Sequence, residues 1–80
     1  MTDTSGPDDR VTIALTGDEA LVLFEWLVAF NKSNPVLADQ AEQQVLWDLE
    51  AMLESNIPGI FSPDYSLRLA AARERVRDSK

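Results

Sequence analysis

The sequence predicts a mainly α domain of three helices with one short N-terminal β-strand or extended arm. Three observations carry this. Ala20 to Phe30 is an apolar stretch broken only by Glu25. Two later segments, around Ala41 to Leu53 and Tyr65 to Val76, repeat apolar residues at intervals of three and four. Arg10 to Leu15 instead alternates at period two. The expected spans are a strand at 10–15 and helices at about 17–31, 36–54 and 63–77, all within one domain at 10–78.

The first helix is the central element. On a helical wheel Asp18, Glu25 and Lys32 fall on one line beside Ala29, and Leu21 to Phe24, Trp26 to Val28 and Phe30 cover the rest. The charged line is expected to meet solvent, and the remainder, Trp26 included, to be covered. Eleven residues with a central Glu are too few for a bilayer, which needs about 20 mostly apolar ones. Protein must therefore do the covering. Thr16 and Glu19 have capping-box spacing, in which hydroxyl and carboxylate each satisfy the other residue's backbone N–H. Asn31, Ser33, Asn34 and Pro35 mark the end, because Pro cannot continue a helix and pushes the residue before it out of the helical region.

Met1 to Asp9 contains Gly, Pro, Ser, Thr and three Asp with no apolar residue after Met1, so a disordered tail is expected. Val11, Ile13 and Leu15 share one side of the segment that follows. No second strand is legible, and a lone strand leaves unpaired backbone groups on both edges. Two readings stand. The three side chains cover helix one, or the strand pairs with its own copy across a two-fold axis.

Pro35 suits a first helical position, and Asp39 with Glu42 repeats the capping-box spacing as a cleaner start for helix two. Ala41, Val45, Leu46, Leu49, Met52 and Leu53 form its expected core arc, with Trp47 far round the wheel among polar residues. Trp47 is covered by helix three or a loop, or it anchors a protein interface, where Trp is enriched. Ser55 and Asn56 are expected to end the helix, Asn tolerating the left-handed conformation found there. Pro58 and Gly59 predict a turn that tucks Ile57, Ile60 and Phe61 onto the core. Ser62, Pro63 and Asp64 open helix three, whose buried stripe is Tyr65, Leu69, Ala72 and Val76; Leu67 lies opposite.

Composition narrows the chemistry. With no Cys and no His, thiolate nucleophiles, imidazole bases, disulfides and ordinary zinc sites are absent. The three Gly, at 6, 17 and 59, form no phosphate-cradling loop. Glu25 and Glu42 are the carboxylates nearest to apolar surroundings, and each has an ordinary explanation, as a solvent-stripe residue and a capping partner. The net charge of −7 is uneven: residues 68–80 carry five cations against two acids, leaving −10 on residues 1–67. Such a body repels nucleic acid and acidic membranes and suits a basic partner or solubility. The N-terminus lacks a signal-peptide pattern, so a cytoplasmic protein is expected.

The run from TGDEALVLFEWL through AEQQVLWDLEAMLE to PDYSLRLAAARERVR resembles a group of small, acidic bacterial proteins of unassigned function, over about residues 11 to 77. The resemblance implies a bacterial, cytoplasmic, mainly helical protein and carries over no functional residue.

The functional expectation is a non-catalytic protein-protein interaction module that self-associates as a homodimer, with Val11, Ile13, Leu15, Trp47 and Leu67 as its candidate interface. It uses no cofactor or metal, and neither nucleic acid nor membrane is expected as a partner. The alternative is an acidic inhibitor or immunity-type protein that neutralises a basic toxin or nucleic-acid enzyme. A small hydrolase built on Glu25 or Glu42 is the catalytic alternative.

Overall fold

The structure, a computed structural model, describes residues 10–78; the tail expected at 1–9 lies outside the described residues. The chain forms three helices, α1 (Gly17–Lys32), α2 (Gln40–Asn56) and α3 (Tyr65–Asp78). Among the described residues there is no strand. Residues 10–16 form an arm without regular structure, and residues 10–15 make no backbone hydrogen bond within the described chain.

The helix starts obey local chemistry. Thr16 Oγ1 accepts from Glu19 N–H, and Glu19 Oε1 accepts from Thr16 N–H, both at 3.0 Å, which is the full reciprocal cap. α2 starts at Gln40, later than the predicted 36, because Asp39 Oδ1 accepts from Ala41 N–H at 2.7 Å. Glu42 accepts from Ala38 N–H rather than from Asp39, so this second box is incomplete. α1 ends as Asn34 takes φ 54, a left-handed conformation that Asn tolerates. The same role expected near Asn56 is not used: α2 runs through Asn56, and Ile57 caps it at φ −104. Gly59, at φ 72, makes the turn toward α3.

Both later helices run against α1. Asn31, at the end of α1, donates to Leu46 O and Glu50 Oε1 of α2. Tyr65 meets Glu25 and Arg75 meets Asp18, so α3 covers only the first half of α1. α2 and α3 pack on α1 but not on each other. The core is accordingly two patches: Phe24, Leu27 and Leu53 under α2, and Leu21, Leu69 and Ala72 under α3, with Ile57 touching both. Leu27 is the largest side chain fully withdrawn from solvent.

Two packing expectations are corrected here. Val45 and Met52 are exposed, because α2 turns Leu46, Leu49 and Leu53 toward α1 and leaves the other edge of its apolar arc open. Phe61 is exposed as well. Ile57 and Ile60 pack onto the core as expected, and with no α2–α3 contact there is no third wall for Phe61 to lie against.

Candidate interaction surfaces

α1 is turned part-way from its sequence reading: Leu21, Phe24 and Leu27 are buried as expected, but Trp26 is not. The charged line faces α3: Asp18 accepts two bonds from Arg75, from Nε at 2.7 Å and Nη2 at 2.9 Å. Glu25 Oε1 accepts from the Tyr65 hydroxyl at 2.9 Å. Of the three charges, only Lys32 stays exposed. The face rotated outward by this arrangement is apolar. Trp26 is 55% exposed and stacks on Phe30, ring centroids 4.9 Å apart and planes 11° from parallel. A stacked pair of this kind presents a broad apolar surface. Trp26 is therefore not the packing residue its position suggested. α3 supplies polar partners for Asp18 and Glu25, which are thereby partly covered, while Trp26 is left outside.

The predicted interface residues fall in separate places. Val11, Ile13 and Leu15 line one cleft of about 410 Å³ whose other wall includes Ala20, Leu49, Met52 and Leu53. They do not cover α1: Val11 is 90% and Ile13 76% exposed. Trp47, on α2, is 45% exposed, and Leu67, on α3, is exposed opposite the buried Leu69 and Ala72. Neither lines the arm's cleft. Trp26, Val45 and Met52 are exposed and were not read as surface residues. For Trp26 the signal was present in the partners available to Asp18 and Glu25, an Arg and a Tyr on the third helix.

The carboxylates singled out by sequence are engaged with their neighbours. Burial, and then the hydrogen bond to Glu25, pushes the Tyr65 phenol up to about 12, so it holds its proton tightly. The guanidinium of Arg75 holds the Asp18 carboxyl below its ordinary value. Arg68 fastens the α2–α3 turn, donating to Gly59 O at 2.8 Å and Pro58 O at 2.9 Å. Among the described residues no three His, Cys, Asp or Glu side chains converge as a metal site would require, and no helix is long and apolar enough to cross a membrane.

Compared with protein-family models, curated proteins and solved structures, the chain matches none.

Proposed function

We propose that this chain is a non-catalytic protein-protein interaction module that self-associates, acting in a bacterial cytoplasm. One observation carries the reading: among the described residues ten large apolar side chains are exposed, whereas the core holds six residues, one of them an alanine. A chain of 80 residues is marginal even when its apolar residues are well buried, and one that leaves ten large ones exposed gains stability by covering them with protein. Large exposed apolar surface on a small domain marks an interaction site. The arm adds a second feature in the same direction, since its backbone groups at 10–15 have no partner within the described chain.

The test is the molar mass of the full chain by light scattering over a concentration series. A mass rising above the 8.9 kDa of one chain is the expected result. A mass that stays at one chain throughout rejects self-association.

The acidic-inhibitor reading rests on a different observation, the exposed Glu42, Asp48 and Glu54 of α2 within a chain of net charge −7. It requires binding to a basic protein that weakens steeply with salt. Affinity insensitive to salt counts against it.

A further inference from the structure

We infer that the arm at residues 10–15 is one strand of a two-fold ribbon, completed by the arm of a second copy running antiparallel with Ile13 on the axis. This rests on the self-association proposed above and names the segment that performs it. The arm has no regular structure in the single chain, and its backbone groups at 10–15 have no partner within the described residues. A row of such donors and acceptors is matched by another extended backbone, not by a helix. The chain offers one such segment. Its other stretches outside the helices, residues 33–39 and 57–64, contain Pro35, Pro58 and Pro63, which cannot donate to a ladder. The arm contains no Pro, and Val11, Thr12 and Ile13 are β-branched residues that favour strand.

Side-chain alternation selects the register. Directly opposed residues of a strand pair point to the same side. Pairing Ile13 with Ile13 sets Val11 of each arm opposite Leu15 of the other and Thr12 opposite Ala14, so three apolar side chains per arm gather on one side. A slip by one residue would set Ile13 against Thr12 or Ala14 and mix the two sides. A slip by two would leave Leu15 or Val11 without an apolar mate. The chosen register matches itself, as a two-fold contact must. Arg10, the single charge of residues 10–16, falls opposite Thr16, so no like charges meet within the ribbon of a chain whose net charge is −7.

A two-stranded ribbon is marginal without apolar backing, and here the backing exists. Val11, Ile13 and Leu15 share their cleft with Leu49 and Met52 of α2, and Met52 is 56% exposed. The contact is short, so the mass is expected to depend on concentration.

The experiment combines light scattering, far-ultraviolet circular dichroism and amide hydrogen exchange on the full chain. Val11→Asp/Ile13→Asp should weaken dimerisation at least about tenfold and leave the helical signal unchanged, because residues 10–16 lie outside the helices. Amide exchange at residues 11–15 should slow as concentration rises, which apolar contact without strand pairing would not produce. Register is read by oxidation. The chain has no native cysteine, and opposed residues of an antiparallel pair stand within disulfide reach. Ile13→Cys should therefore cross-link with itself, and Val11→Cys with Leu15→Cys in a mixture but not with itself. A dimer indifferent to the arm substitutions, or one whose arm amides exchange equally fast at every concentration, overturns this inference and leaves self-association standing. Self-cross-linking of Val11→Cys overturns the register. A monomer at every concentration overturns self-association and this inference together.

Discussion

The Tyr65 hydroxyl donates a 2.9 Å hydrogen bond to Glu25 Oε1, joining the start of α3 to the middle of α1 across 40 residues of chain. This bond takes the central charge of α1 out of the solvent-facing role its sequence suggests. It also gives the phenol two reasons to resist ionisation, its burial and the adjacent carboxylate.

Tyr65 is the only tyrosine, so its ionisation can be followed by near-ultraviolet absorbance. The midpoint is expected near the value of about 12 rather than the ordinary 10.0. Its raised folded value means that the associated stability is intact below pH 10.0 and is lost as the pH climbs toward about 12. Glu25→Gln should lower the midpoint without returning it fully to 10.0, because burial is the larger cause. A midpoint unmoved by that substitution would show that the carboxylate does not act on the phenol.

The Asp18–Arg75 pair should be visible in an NMR pH titration. Asp18 has a folded value below its ordinary 3.8, so the pair stabilises the fold above that pH, and the contribution disappears as pH falls through the lowered value. Arg75→Ala is expected to bring the Asp18 midpoint back toward 3.8. Added salt should shrink the difference, since the Arg75 side chain is 63% exposed. An Asp18 midpoint identical in the two proteins would contradict the pairing.

Leu27→Ala should be the costliest single truncation of the core. Leu27 is the largest side chain fully buried, and such truncations cost about 2–5 kcal/mol. That is a large fraction of the stability of a domain this small. Val45→Ala, on an exposed face, should change the monomer by less than about 0.5 kcal/mol. Urea unfolding followed by circular dichroism compares them, and similar losses for the two would mean that the helices pack differently.

Gly59→Ala should destabilise by about 1 kcal/mol or more. The turn holds φ at 72 there, and an added Cβ would stand 2.6 Å from Nη1 of Arg68. Arg68 would then have to release the carbonyls of Pro58 and Gly59 that it bridges. In an Arg68→Ala background the clash is gone and only the backbone strain is left, so the cost of Gly59→Ala should fall. A cost equal in both backgrounds would place the whole effect in the backbone.

The exposed apolar surface was half legible from sequence. The exposure of Val11, Ile13 and Trp47 goes against the reading in which the arm covers α1 and helix three or a loop covers Trp47, and leaves the other reading of each open. Trp26 was missed because a wheel shows which residues share a face but not which face a neighbour takes. The charged line of α1 read as solvent-facing only while Tyr65 and Arg75 were not yet known to lie against it.

What the sequence determined by itself is local: three helices, their starts at Thr16 and Asp39, the turn at Gly59 and the buried stripe of α3. These follow from backbone hydrogen-bonding groups that must be satisfied within a few residues, and from spacing along one helix. Only the tertiary structure decided how α1 is rotated. That choice depends on which of two faces loses less on burial. The ion pair with Arg75 and the hydrogen bond from Tyr65 let α3 lie beside Asp18 and Glu25 and leave Trp26 outside. Both bonds join residues at least 40 positions apart, beyond the reach of any local pattern.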